Sequence, residues 1–182
     1  SIQANWNELV KGNSAVYKID SFGHLKNFYA GKIDDEIFLN LKGQVEDNQI
    51  YTRLELFGIL ALQSIIDKSK ISKRTAFVIS TTKGNIDQLS DSLEKASITN
   101  FAKKIANYFR FKTEPIIISN ACVSGVLAVN IAKRFIEMDE FDDAYVLALD
   151  ELTNFVLTGF NSFQAMDFES VSYTHLTLPT TP

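Results

Sequence analysis

One cysteine, Cys122, stands in the 182 residues, so no disulfide can close within the chain, and this usage fits a reducing compartment. No signal-peptide pattern occurs, and no apolar run approaches the roughly 20 residues of a membrane span, so the cytoplasm is the expected location and no membrane span is expected. Basic charge is also short. Lys and Arg number 18 against 22 Asp and Glu, for a net charge of −4, and they are scattered without a sustained run. That excludes the electrostatic footprint of a nucleic-acid binder. No repeat or low-complexity linker divides residues 1 to 170, which read as a single domain. What remains is an ordinary globular composition, 46% hydrophobic and long enough for one core.

The periodicity of apolar residues organises the chain. A loop-rich start carries the aromatic anchors Trp6, Tyr17, Phe22, Phe28 and Tyr29. From Thr52 to Lys68, the positions Leu54, Phe57, Leu60, Ala61 and Ile65 mark an amphipathic helix with a basic end. Ala76 to Ser80 forms a short buried strand, and the loop Thr81 to Asn85 leads to helical stretches near Ile86 to Ala96 and Asn100 to Arg110. Pro115 to Ile118 lacks polar alternation and reads as a strand covered on both faces. A helix follows over Val126 to Ile136, then a strand over Ala144 to Leu149. Strands alternating with helices imply an α/β fold with a mostly parallel sheet covered by helices.

The chemistry concentrates in Pro115-Ile-Ile-Ile-Ser-Asn-Ala-Cys-Val-Ser-Gly125. Small residues make a turn between the strand and the helix, and Cys122 falls at or just before the first helical turn. Free amide donors and the helix dipole favour an anion there, so a thiolate is stabilised. A thiolate is both nucleophile and leaving group, which is what acyl transfer requires. A buried free cysteine acting as a small hydrophobe is the competing reading. An α/β-hydrolase elbow fits poorly, since Asn120 stands where glycine belongs two residues before the nucleophile.

The turn Ala121-Cys122-Val123-Ser124-Gly125 resembles the A-C-x-x-G nucleophile turn of the β-ketoacyl synthases, within the thiolase-like superfamily. Five further segments follow the same family in order. Trp6 with Gly12 matches an early W-x-x-L-x-x-G, Ala30-Gly31-Lys32-Ile33 matches A-G-x-I, and Arg53 with Ala61 matches a helix of the form R-x-x-x-x-x-x-x-A. Asp143 to Glu151 matches a strand ending in an acidic pair, and Gly159-Phe160 matches a G-F turn. The resemblance implies the N-terminal half of the layered thiolase-like fold, with Cys122 accepting an acyl chain from acyl carrier protein and its own backbone N–H donating to the thioester oxyanion. It also implies decarboxylative condensation with a malonyl thioester, a second identical subunit packed near the strand before the cysteine, and no metal or organic cofactor. Phe160 and Phe163 either line the acyl pocket or pack the core. Alternatives are a thiolase-like acyltransferase using CoA esters and a non-catalytic partner subunit of the chain-length-factor type, which usually lacks the cysteine.

Other candidates are weaker. Ketoacyl synthases use two histidines from the second half of the chain, and none matches here; His24, in the early loop, is expected to pack or hydrogen-bond locally. Thr81-Thr-Lys-Gly-Asn85 lacks the longer glycine loop of a phosphate cradle and reads as a turn in which Gly84 supplies a positive φ. Asp150 and Glu151 make a poor metal site without a third ligand and are expected to hydrogen-bond structurally. Lys103, Lys104, Arg110 and Lys112 form the nearest candidate patch for an acidic carrier protein, although a solvated helix face explains them better. Both ends are expected to be non-native. The family's first strand is missing before Trp6, and residues 171–182, including His175, back-translate to a sequence resembling a transposon-end adapter, which leaves residues 1–170 as the authentic part. By this reading the chain alone is inactive and marginally folded.

Overall fold

The structure, a computed structural model, describes residues 2–166. Residues 171–182, expected to be a foreign tail, lie outside the described residues. In chain order the elements are α1 (Ile2–Val10), β1 (Tyr17–Phe22), β2 (Leu25–Ala30), α2 (Asp35–Lys42), α3 (Arg53–Gln63), β3 (Thr75–Ser80), α4 (Leu93–Ala96), α5 (Ile98–Phe109), β4 (Ile116–Ile118), α6 (Ser124–Glu137), β5 (Asp143–Ala148) and α7 (Asn154–Ser162). They fall into two compact units, one made of residues up to 33 and from 152 onward, the other of residues 34–151.

The second unit holds a three-stranded sheet in the order β4-β3-β5, with both pairs parallel. The expected parallel, helix-covered α/β arrangement is present. β3 is the central strand, and all six of its residues, Thr75 to Ser80, are buried. Because side chains alternate along a strand, Phe77 and Ile79 face one layer while Ala76 and Val78 face the other. The first layer joins Phe77 and Ile79 to Leu54, Ile59 and Leu62 of α3 and to Phe101, Ile105 and Phe109 of α5. The second joins Ala76 and Val78 to Ala128 and Ala132 of α6. Two alanines let α6 lie close against the sheet, so enlarging either would overpack that layer by about 1–3 kcal/mol.

Local signals fix the helix ends. Thr52 caps α3: its side chain accepts from the Glu55 N–H while the Glu55 carboxylate accepts from the Thr52 N–H, the reciprocal capping box. α3 stops at Gln63, short of the expected Lys68. Asp67 instead accepts from the Ser69 N–H and starts a separate 3₁₀ turn over Lys68–Lys70. The helical stretch expected near Ile86 to Ala96 is a 3₁₀ turn, Ile86–Ser90, followed by the one-turn α4, because Ser92 caps a fresh start at Glu94. α5 begins two residues before the expected Asn100 because the Ser97 side chain accepts from the Asn100 N–H. β4 is a half-buried edge strand beside β3, yet Ile117 packs on one layer and Ile116 and Ile118 on the other, so both faces are partly covered as expected.

The first unit corrects the loop-rich reading of the N-terminal residues. β1 and β2 form an antiparallel hairpin in which Phe22 pairs with Leu25 across the turn Gly23-His24. Gly23 has φ +59°, and a Cβ there would fall 1.9 Å from Asn154 Oδ1 at the start of α7, so the hairpin turn needs glycine twice over. Ile19, Phe28 and Leu157 form this unit's core. Of the aromatic anchors expected, only Phe28 is fully buried, while Trp6 is 60% exposed. Phe28 pairs with Ile19 across the hairpin and both sit in this unit's core, whereas Trp6 lies on α1 outside it.

Candidate active site

Parallel strands bring their C-terminal ends to one edge of the sheet, and the chain leaves β3, β4 and β5 there through three loops. The loop after β4 carries Cys122. It is exposed, which removes the reading of it as a buried hydrophobe. Two residues later α6 begins at Ser124, with Val123 at the N-cap and no side-chain cap.

The turn is unusual at Ala121, whose φ of +43° places an L-residue in the left-handed region. That conformation costs roughly 1–2 kcal/mol for a residue with a Cβ, and the surroundings must hold it. Ser124 does so. Its hydroxyl, on a residue only 4% exposed, accepts from the Asn120 N–H at 2.7 Å and donates to the Ala121 carbonyl at 2.7 Å. The Val123 N–H donates to the Asn120 carbonyl and the Ser124 N–H to the Ala121 carbonyl, each at 3.2 Å. Among the described residues no hydrogen bond uses the Cys122 amide, so the thiol and its own N–H are both open to an incoming group.

The flanking loops are tied down by side chains. After β3, Thr81 Oγ1 accepts from the Gly84 N–H at 3.0 Å and donates to Asp150 Oδ1 at 2.8 Å, while the Thr82 N–H reaches the same carboxylate oxygen at 2.8 Å. Asp150 follows β5, so this carboxylate joins two of the three loops. The Thr81 N–H donates to the Ile118 carbonyl at 3.3 Å and binds the third. Gly84 has φ +55°, as expected of a turn glycine. Asn85 donates to Glu55 Oε1 at 2.9 Å and accepts from Thr52 Oγ1 at 2.8 Å, and Lys104 pairs with Glu55 Oε2 at 3.1 Å. The carboxylate of Glu55, 1% exposed, is thereby fully partnered, as a buried charge must be.

Asp150 therefore hydrogen-bonds structurally, as expected. Glu151 pairs with Arg53 at 3.1 Å, and Arg53 stacks over Phe38 and Phe57. Burial pushes the Glu151 carboxyl above its ordinary range, Arg53 pulls against that, and Asp87 adds to it. No group of three or more His, Cys, Asp or Glu side chains able to hold a metal occurs among the described residues. No helix among them is long and apolar enough to cross a membrane.

The remaining candidates lie apart from Cys122 in the chain's organisation. Phe160 on α7 and Phe163 at its C-cap belong to the first unit and are 49% and 83% exposed, so neither packs that unit's core. His24 is exposed in the β1–β2 turn of the same unit. Lys103 pairs with Glu114 and Lys104 with Glu55, while Arg110 and Lys112 follow the C-terminus of α5, where the chain turns toward the start of β4. That is the end of the sheet opposite the cysteine. The sequence reading assigns Ser124 no part of its own; a small hydroxyl residue at the first position of an uncapped helix is the signal that points to its hydrogen bonds.

No family model matches this sequence, and no curated protein matches it. Solved structures do. The chain is similar to the ishigamide ketosynthase/chain length factor (15% identity, TM-score 0.69, covering 86% of this chain and 50% of that one). It is similar to the ketosynthase ApeO in complex with its chain length factor ApeC from Xenorhabdus doucetiae (18%, 0.64, 90% and 46%). It is also similar to the ketosynthase from module 6 of the bacillaene synthase of Bacillus subtilis 168 (16%, 0.63, 89% and 31%). The chain thus spans half or less of the length of these structures, and the likeness is one of fold: the described residues take the ketosynthase, thiolase-like fold over part of its extent.

Proposed function

We propose that this chain is the N-terminal half of a β-ketoacyl synthase and that Cys122 is its acylated nucleophile. The observation that carries the reading is the exposed thiol on a left-handed turn between a parallel strand and a helix of ketosynthase fold. In the first step the Cys122 thiolate attacks the carbonyl of an acyl thioester. The new S–C bond replaces the carrier's C–S bond, and the carrier leaves as a thiol. In this proposal the Cys122 N–H donates to the oxyanion as it develops, the role that oxyanion stabilisation requires. A malonyl thioester then loses CO₂, and the resulting carbanion attacks the acyl carbon and releases Cys122 as thiolate. The thioester carrier is acyl carrier protein, and the working assembly is a cytoplasmic homodimer. Residues 1–170 form its ketosynthase part in this proposal.

A second reading is favoured by the company of chain length factors among the similar structures: a partner subunit that shapes a pocket without catalysing. A thioester acyltransferase using CoA is a third. The deciding experiment loads the full-length protein with acyl carrier protein bearing a labelled acyl chain and maps the adduct by mass spectrometry. An acyl group on Cys122, absent in Cys122→Ala, is expected; no adduct on wild-type protein leaves the partner-subunit reading in place, and an adduct from CoA but not from the carrier favours the third.

A further inference from the structure

Ser124 differs from the other hydroxyl side chains at the helix starts. Ser92, Ser97, Thr52 and Thr153 all sit at N-caps and accept from an amide one turn ahead. Ser124 sits inside the helix it begins and works backward: it accepts from the amide of Asn120 and donates to the carbonyl of Ala121, each at 2.7 Å. The two bonded groups flank Ala121, the residue held at φ +43°. One hydroxyl therefore spans the strained residue from both sides, using its donor and its acceptor at once. Its surroundings are dry, with Ser124 only 4% exposed, whereas Asn120, Ala121 and Cys122 are all exposed. A bond in such a place is not readily exchanged for water.

We infer that Ser124 is a positioning residue, whose hydroxyl clamps Ala121 in the left-handed conformation and so fixes the direction in which the Cys122 thiol and amide are presented. The inference rests on the reading of Cys122 as nucleophile, and it adds how that nucleophile is aimed. Without the clamp, the backbone of Ala121 relaxes toward the ordinary α or β regions, which relieves its strain and swings Cys122 away from the start of α6. Reactivity that depends on a fixed geometry then falls, since misplacement on the scale of 1 Å costs up to about a hundredfold.

The test uses the 182-residue chain and reads two independent quantities, the second-order rate of Cys122 alkylation by iodoacetamide and the hydrogen exchange of the Asn120 amide. Ser124→Ala is expected to slow alkylation roughly tenfold and to remove the protection of the Asn120 amide, with Ser124→Thr restoring both. Mere local loosening would expose the thiol further and speed alkylation, so an unchanged or faster rate in folded Ser124→Ala overturns the inference. If Ser124→Ala does not fold, Ser124→Ala combined with Ala121→Gly removes the strain that the clamp opposes. Folding of that double variant with slow alkylation supports the clamp, and its failure to fold overturns it by assigning Ser124 to core packing. The nucleophile reading fails separately, if carrier-borne acyl groups never reach Cys122 while the Asn120 amide still responds to Ser124.

Discussion

Two loops leave the same edge of the same sheet and solve the same problem differently. The loop after β3 and the loop after β4 each need one residue with positive φ. The first uses Gly84, at +55°, and the second uses Ala121, at +43°. The β3 loop is largely buried, from Thr81 to Asn85, and is fastened by Asp150, Thr52 and Glu55. The β4 loop is exposed, and its side-chain fastening is the hydroxyl of Ser124, beside two backbone hydrogen bonds within the turn. Where only structure is required, glycine takes the turn at no steric cost and side chains lock it from outside. Of these two loops, the one that carries the thiol is the one that keeps a non-glycine residue at positive φ, consistent with the tendency of strained backbone to collect at functional sites.

That contrast can be broken at several points, and the largest effect belongs to the buried carboxylate. Glu55→Ala removes the partner of Asn85, of the Thr52 amide and of Lys104 at one stroke, and is expected to cost about 3 kcal/mol, the lower end for a buried charge pair because Lys104 itself is partly exposed. Urea denaturation with an unchanged m-value measures it; a loss under ~1 kcal/mol would mean that Gly84 alone holds the β3 loop. Gly84→Ala comes next. Its Cβ would lie 2.9 Å from Ile98 Cγ1 and its φ would be strained, for an expected loss of about 2 kcal/mol in thermal unfolding.

Ala121→Gly carries the opposite sign. Relief of roughly 1–2 kcal/mol of strain outweighs the entropy that glycine adds to the unfolded chain, so a gain of up to about 1 kcal/mol is expected, together with slower Cys122 alkylation. A loss of stability there would show that Ala121 is not strained and would dissolve the contrast with Gly84. The smallest effect concerns Glu151, in the loop after β5. Its folded-state carboxyl titrates above its ordinary value because burial disfavours the charge. Its contribution to stability is therefore present at acidic pH and is lost as pH rises through that raised value. Glu151→Gln should match the wild type at about pH 3 and exceed it by less than ~1 kcal/mol at about pH 8, and urea midpoints across that range check the sign.

Much of the second unit is legible in the residues. β3, β5, α5 and α6 follow from apolar runs and helical spacing, and the position of Cys122 just ahead of α6 follows from small residues between an apolar strand and a periodic helix. Gly84 announces its turn. Ala121 does not, because alanine is no turn residue and its positive φ goes with hydrogen bonds to Ser124 that only the fold brings together. The Glu55 node is equally hidden, since its partners Asn85 and Lys104 come from other elements 30 and 49 residues away. The first unit departs from the expected loop-rich start, although Gly23-His24 is a two-residue hairpin turn of the kind that glycine favours. At the candidate site the cysteine is legible, while the tie from Asp150 to Thr81 and the hydrogen bonds of Ser124 follow only from the fold.

The register of the sheet also sets the order in which the molecule is assembled. β3 pairs with residues in the 110s on one side and the 140s on the other, and none of these pairings is local. Closing such distant contacts is slow compared with the formation of α5 or α6, which need only their own neighbours. β4 is three residues long and, among the described residues, pairs with β3 alone, so the turn that follows it takes its shape only once that pairing exists. The thiol is thus a timer built into the chain: the moment at which Cys122 acquires its native rate toward an alkylating reagent marks the docking of β4, and pulses of reagent during refolding read that moment directly.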